Sequence, residues 1–207
     1  MRTKHFAFAL IVAAMAAGCV HYTIVPPAID LTALGTVGLV MLKAENAKGD
    51  LDAAATQFFL QEVTVAQRAP VVELGTQDVV LADIGKEIFD REAALAIGEK
   101  QGVDAFFVGE VTVTKVKPQI DILAPLSKTL FARAAFDIAA KVRLVSTKNG
   151  ATLWTDSAIR QGTVGAIGMD DGIPVFSVRD KSAALNDVLR DLMYRLTWDF
   201  RPTRQRL

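Results

Sequence analysis

The sequence predicts an α/β or α+β fold: a mixed β-sheet packed by helices in two or three layers, as a single domain. Three observations predict it. Short apolar runs bounded by turn signals alternate with helical stretches through the first half. An Asn149-Gly150 pair between two runs of strand-forming residues marks a long hairpin. A helix with one apolar stripe closes the chain and needs a sheet to cover.

In chain order, "TVGLVML" (36–42) is a short apolar run and reads as a buried strand. "GDLDAAATQFFLQEVTVAQ" reads as a helix that Asp50 or Asp52 can cap, with Phe59, Val63 and Ala66 on one side. "PVVEL" (70–74) is a second strand, and "VVLADI" (79–84) fits either helix or strand. "DREAALAIGEKQG" is a helix with Asp90 at its start and Gly102 at its end. "VDAFFVGEVTVTKV" is apolar at first and alternating later, the pattern of a strand leaving a covered core for a solvated edge. A two-residue type I′ turn at Asn149-Gly150 sets Lys148 opposite Ala151, Val145 opposite Trp154, and Arg143 opposite Asp156. Residues 162–182 are Gly-rich and read as irregular. Leu185, Val188, Leu189, Leu192, Met193 and Leu196 form the stripe of the last helix, before Pro202.

The N-terminus carries a different signal. Arg2 and Lys4 precede an uncharged apolar run from Phe6 to Ala17, then small residues and Cys19. A basic start, a short apolar stretch and a small-residue cleavage site make a secretory signal. The run is short of the ~20 apolar residues of a transmembrane helix. "AAGC" resembles the lipobox of bacterial lipoproteins, with Ala16 where that family prefers Leu. The resemblance implies cleavage before Cys19 and acylation of its thiol, palmitate included, and of its new amine. Two or more acyl chains suffice for stable anchoring. Val20 stands where Asp usually retains such proteins at the inner membrane, so the resemblance implies the outer membrane, periplasmic face. The expected organisation is a signal peptide at 1–18, a lipidated tether at 19–35, the α/β domain at 36–200 and a basic C-terminal tail at 201–207. The tether, with Pro26-Pro27, reaches at most about 50 Å.

Composition narrows the function. The chain has 23 basic and 23 acidic side chains, and loss of Arg2 and Lys4 leaves the mature part slightly acidic. No broad basic field results, so no nucleic-acid partner is expected. After processing, the remaining His is His21, in the tether. The domain then lacks the residues of Cys-His or Ser-His-Asp chemistry and of ordinary zinc sites. No catalytic residue, metal or cofactor is expected, beyond covalent lipid on Cys19. "GMDDG", with Asp170 and Asp171, lacks the ligand spacing of a calcium loop. "GTVGAIG" (162–168) lacks the Lys-Ser/Thr ending of a phosphate loop and reads as a connector. Glu110 reads as an edge or paired residue. "ILAPL" (122–126) reads first as core, and otherwise as a partner or membrane contact through Ile122, Leu123 and Leu126. Arg201, Arg204 and Arg206 suit a solvated tail and are available to anionic lipid or cell-wall groups.

Three stretches point to a family: "VDAFFVGEV" with Gly109, "KVRLVSTKNGATLW" with Ser146 where Asp is common, and "AALNDVLRDLMYRL". Their order resembles the CsgG and LpoB-like lipoproteins, whose fold is similar to the N-terminal domain of TolB. The resemblance implies a non-enzymatic protein acting in the cell envelope. In that family some members activate a peptidoglycan synthase and others build a secretion channel. The tether here is short for crossing the wall. Four membrane strands of roughly 10 residues each do not fit between Lys117 and Arg133 and in 162–182. The expectation is therefore a lipid-anchored protein that binds an envelope partner or forms a homo-oligomer. A subunit of a secretion or transport channel is one alternative, and a hydrolase using carboxylates alone is another.

Overall fold

The computed structural model describes residues 22–119, 133–164, 168–170, 173–176 and 183–206. Strand β1 is Tyr22–Val25 and leads to a 3-10 turn at Leu31–Leu34. Then come β2 (Val37–Val40), β3 (Lys43–Glu45), β4 (Lys48–Gly49) and helix α1 (Leu51–Ala66). Strand β5 (Val71–Gly75) precedes α2 (Gln77–Asp83) and α3 (Arg91–Gln101). Three long strands follow: β6 (Ala105–Gln119), β7 (Arg133–Ser146) and β8 (Thr152–Val164). Short strands β9 (Gly168–Asp170) and β10 (Ile173–Phe176) precede α4 (Ala183–Leu196), a 3-10 turn at Trp198–Phe200, and β11 (Thr203–Arg206).

The main sheet runs β5-β2-β6-β7-β8, with β3 also paired to β6. Strands β5, β2, β3 and β6 are parallel, while β6-β7 and β7-β8 are antiparallel. This is the mixed sheet the sequence predicts. Helices α1 and α4 cover one face. There Phe107 meets Phe59, Trp154 and Phe200 edge-on, with ring centroids 5.1, 6.3 and 5.7 Å away. Leu189, Leu192, Met193 and Leu196 of the predicted stripe are fully buried in this core. A second, smaller core lies on the opposite face, where Val80, Ala94 and Ile97 of α2 and α3 cover Val40, Phe106 and Val108.

Local chemistry explains most boundaries. The Asp90 carboxylate accepts from Ala93 N at 2.8 Å, and Gly102 ends α3. The ambiguous run at 79–84 is helical because the Thr76 side chain caps it and Val80 and Leu81 find a core, although Val79 stays exposed. Asp50 sits at the start of α1 without a side-chain cap bond.

Three expectations change. The hairpin loop holds four residues rather than two, with Ser146 N donating to Ala151 O at 2.9 Å. A type I′ turn needs positive φ at both central residues. Here Gly150 has it (φ 72°) and Asn149 does not. The Asn149 side chain instead accepts from Ala151 N at 2.9 Å. With a bulge near Val145, the register becomes Leu144 opposite Trp154 and Arg143 opposite Thr155, so the expected Arg143–Asp156 pair does not form. Second, strands β9 and β10 occupy part of the Gly-rich segment taken as irregular, and β10 pairs with β4. Third, the chain ends are not loose where they are described. Tyr22–Val25, inside the expected tether, pairs with Thr203–Arg206, inside the expected solvated tail.

That junction is tied to the domain. Ala28 N donates to Asp199 O at 2.9 Å, and the Trp154 indole donates to the Asp199 carboxylate at 3.1 Å. The buried Gln67 amide accepts from Leu31 N and donates to the carbonyls of Ile29 and Phe200. Arg201 makes an ion pair with Glu62 at 2.5 Å, and its guanidinium lies 4.4 Å from the Tyr194 ring centre.

Candidate partner interface

Strand β6 changes character along its length. Ala105, Phe106, Phe107 and Val108 are buried on both faces; then Glu110 and Thr114 are exposed while Val111 and Val113 stay buried. The α2–α3 layer stops at this point, and among the described residues no element covers that face of β6, β7 and β8 beyond it. Gly109 marks the seam, since a Cβ there would lie 2.3 Å from Lys141 O. The Gln77 amide donates to Gly109 O at 2.7 Å and Arg143 donates to Phe89 O at 2.7 Å, closing the helical layer over the sheet. A cleft of about 510 Å³ opens here, lined by Gln77, Phe89, Glu110, Lys141 and Arg143 among others. Glu110, expected as an edge or paired residue, lies in register between Lys43 and Lys141, an alternation of charge across three strands.

The bare face has a small-residue, polar texture. Strand β7 contributes Ala135, Asp137, Ala139 and Lys141, and β8 contributes Thr155, Ser157, Ile159, Gln161 and Thr163. Ile159 is 64% exposed in the middle of it. Among the described residues strand β8 pairs with β7 alone, and no described strand lies along its other edge. Free edges usually carry Lys, Pro, a bulge or an outward charge against unwanted pairing. From Thr155 to Thr163 the outward set on β8 holds no charge and no Pro, and the ladder shows no bulge.

On its other face β8 borders a cleft of about 910 Å³ against α4, lined by Asp156, Arg160, Asp191, Tyr194 and Trp198 among others. Arg160 pairs with Asp191. Tyr194 and Trp198 meet edge-on at 5.8 Å, and both are partly exposed. A strand added to β8 would send alternate side chains over the bare face and into this aromatic cleft.

No group of three or more His, Cys, Asp or Glu is placed to hold a metal ion among the described residues. Asp104 is held below the usual carboxylate range, first by the Thr36 backbone N–H and then by Lys148; it staples the β2 entry to the hairpin loop. No described helix is long and apolar enough to cross a membrane. Cys19, expected to be lipidated, and Ile122, Leu123 and Leu126, the candidate partner or membrane contacts, lie outside the described residues, as does Asp171.

The fold has solved counterparts. The PelC dodecamer from Paraburkholderia phytofirmans superimposes with a TM-score of 0.52 at 15% identity, covering 87% of this chain and 98% of that one. The LpoB C-terminal domain from Salmonella enterica matches at a TM-score of 0.39 and 12% identity, over 61% of this chain and 82% of that one. Lipoprotein GNA1162 from Neisseria meningitidis matches at 0.37 and 21% identity, over 67% of this chain and 88% of that one. No family model and no curated protein sequence matches this chain. The α/β fold is thus one already seen in PelC.

Sequence reasoning did not find the β8 edge or the Tyr194–Trp198 cleft. The alternation in "TLWTDSAIRQGTV" carried half of the signal, because a strand with one solvated face shows in its period. Which strand ends a sheet is a matter of topology.

Proposed function

We propose that this chain is a non-enzymatic, lipid-anchored protein of the cell envelope that assembles with copies of itself through the free edge of β8. The carrying observation is the run Thr155–Thr163, whose solvent-facing side chains are uncharged, with exposed Ile159 on that side and the aromatic cleft, with Asp156 and Arg160, on the other. Edge-to-edge pairing supplies main-chain hydrogen bonds without special side chains. The fold shared with PelC, a protein solved as a dodecamer, supports assembly. The resemblance to CsgG and LpoB-like lipoproteins and the lipobox at Cys19 support outer-membrane anchoring on the periplasmic side.

Photo-crosslinking in cells from position 161, in place of Gln161, tests this. Adducts at multiples of the chain mass are expected. Adducts with a different protein alone would make this edge a partner-binding site rather than a self-assembly joint, and no adducts would remove the β8 edge from the proposal. Acyl labelling of the wild-type chain and of Cys19→Ser tests the anchor; equal labelling would refute it.

A further inference from the structure

The β1–β11 ribbon places four exposed side chains on one face. Tyr22 pairs with Arg206 and Ile24 with Arg204, while Thr23, Val25, Thr203 and Gln205 take the opposite face. Tyr22 is 61% and Ile24 71% exposed, which is unusual for an aromatic and a β-branched apolar residue side by side. Arg204 and Arg206 are exposed beside them. On the other face Thr23 and Gln205 are also exposed, while Val25 and Thr203 are half-buried. Directly behind the ribbon, Ala28 N bonds to Asp199 O and Gln67 ties both chain ends to α1, so the ribbon is mounted on the domain.

We infer that this face is a membrane-contact surface that takes anionic lipid headgroups. The inference rests on the reading of Cys19 as the acylated residue. Cys19 precedes Tyr22 by three residues, a reach of about 10 Å, so acyl chains there would hold the ribbon at the bilayer surface. Tyr is favoured at the membrane–water interface, where its ring sits at headgroup level. Arginine reaches along apolar surface and keeps its guanidinium at phosphate depth, where it binds phosphate oxygens in pairs. Ile24, between them, supplies apolar area to bury. The same contact orients the domain: with both chain ends at the bilayer, the β8 edge is presented at a fixed angle to it and to neighbouring copies.

The test uses the full chain, purified in detergent and reconstituted. Mass spectrometry reads acyl groups on Cys19 and judges the anchor on its own. An environment-sensitive fluorescent amino acid is then placed at position 24 or, as the opposite-face control, at 23. On vesicles of phosphatidylethanolamine with phosphatidylglycerol, emission at 24 is expected to shift to the blue while 23 stays water-like. Arg204→Ala and Arg206→Ala should each lower the ratio of seated to unseated ribbon about fivefold, as should phosphatidylcholine vesicles by removing the anionic charge. Equal emission from 23 and 24, or a signal at 24 indifferent to both arginines and to lipid charge, would overturn the inference. A blue shift at 24 in detergent that grows with protein concentration would also overturn it, by assigning the face to a second copy. If Cys19 proves unacylated, the contrast between 24 and 23 on added vesicles still judges the ribbon separately.

Discussion

Two halves of one sheet share strand β6 and differ in what covers them. In the parallel half, β2 reads Val37–Val40 with every residue buried, because α1 lies on one face and α2 with α3 on the other. In the antiparallel arm, β8 alternates between Trp154 or Gly162 facing the core and Thr155 or Gln161 facing solvent. The first half spends its side chains on packing. The second leaves one face and one edge without a covering element among the described residues. Stability and recognition are therefore expected to separate along β6, and substitutions on either side of Gly109 should show it.

The largest effect belongs to the covered half. Phe107→Ala removes the ring that contacts Phe59, Trp154 and Phe200, and should cost about 3–5 kcal/mol, read from the midpoint of urea unfolding. A loss below 1 kcal/mol would mean that the core is not centred there. Next comes the junction of the chain ends. Glu62→Ala strands Arg201, whose side chain is 13% exposed, and should cost about 3 kcal/mol; Glu62→Gln, which keeps an acceptor for Arg201, should cost less. In the arm, Ile159→Lys should change unfolding by no more than about 0.5 kcal/mol, as for other exposed sites, while abolishing assembly. A large destabilisation would show that the bare face is covered within one chain.

The smallest effect concerns acid. The folded-state pKa of Asp104 is depressed below 3.8, so its contribution to stability is present above that value and is lost as pH falls through the lower, folded one. Asp104→Asn should therefore flatten the acid limb of the stability profile below about pH 4 and leave stability above that range nearly independent of pH at this site. An unchanged acid limb would remove Asp104 from the account.

Much of the fold was legible because its signals are local. Asp90 and Gly102 bound α3 by capping chemistry, and the stripe on α4 is a 3.6-residue period that only a covered face explains. The change within β6 from apolar to alternating foretold where the helical layer ends. What stayed hidden depends on distant partners. Asn149-Gly150 announces a turn, yet the turn type was decided by neighbours: Thr147 donates to Val103 O and Lys148 pairs with Asp104, drawing the loop toward β6. Strands β1 and β11 are four residues each, from opposite ends of the chain, and "TRQR" has no strand signal of its own. The role of Gln67 as a clasp between both ends was equally silent, since a single Gln after a helix is ordinary in sequence. The candidate interface was least legible, because which strand lies at an edge is set by the pairing of distant strands, not by any local pattern.

The central claim is that β8 is a joint between copies. Mass photometry of the full-length, detergent-solubilised protein, beside Ile159→Lys with an unchanged unfolding midpoint, tests it most directly. The wild-type protein should appear as a closed multiple of the mass of its processed chain, and the Ile159→Lys protein as single copies. A wild-type protein that stays single at every concentration, or an Ile159→Lys protein that assembles as the wild type does, would contradict the claim.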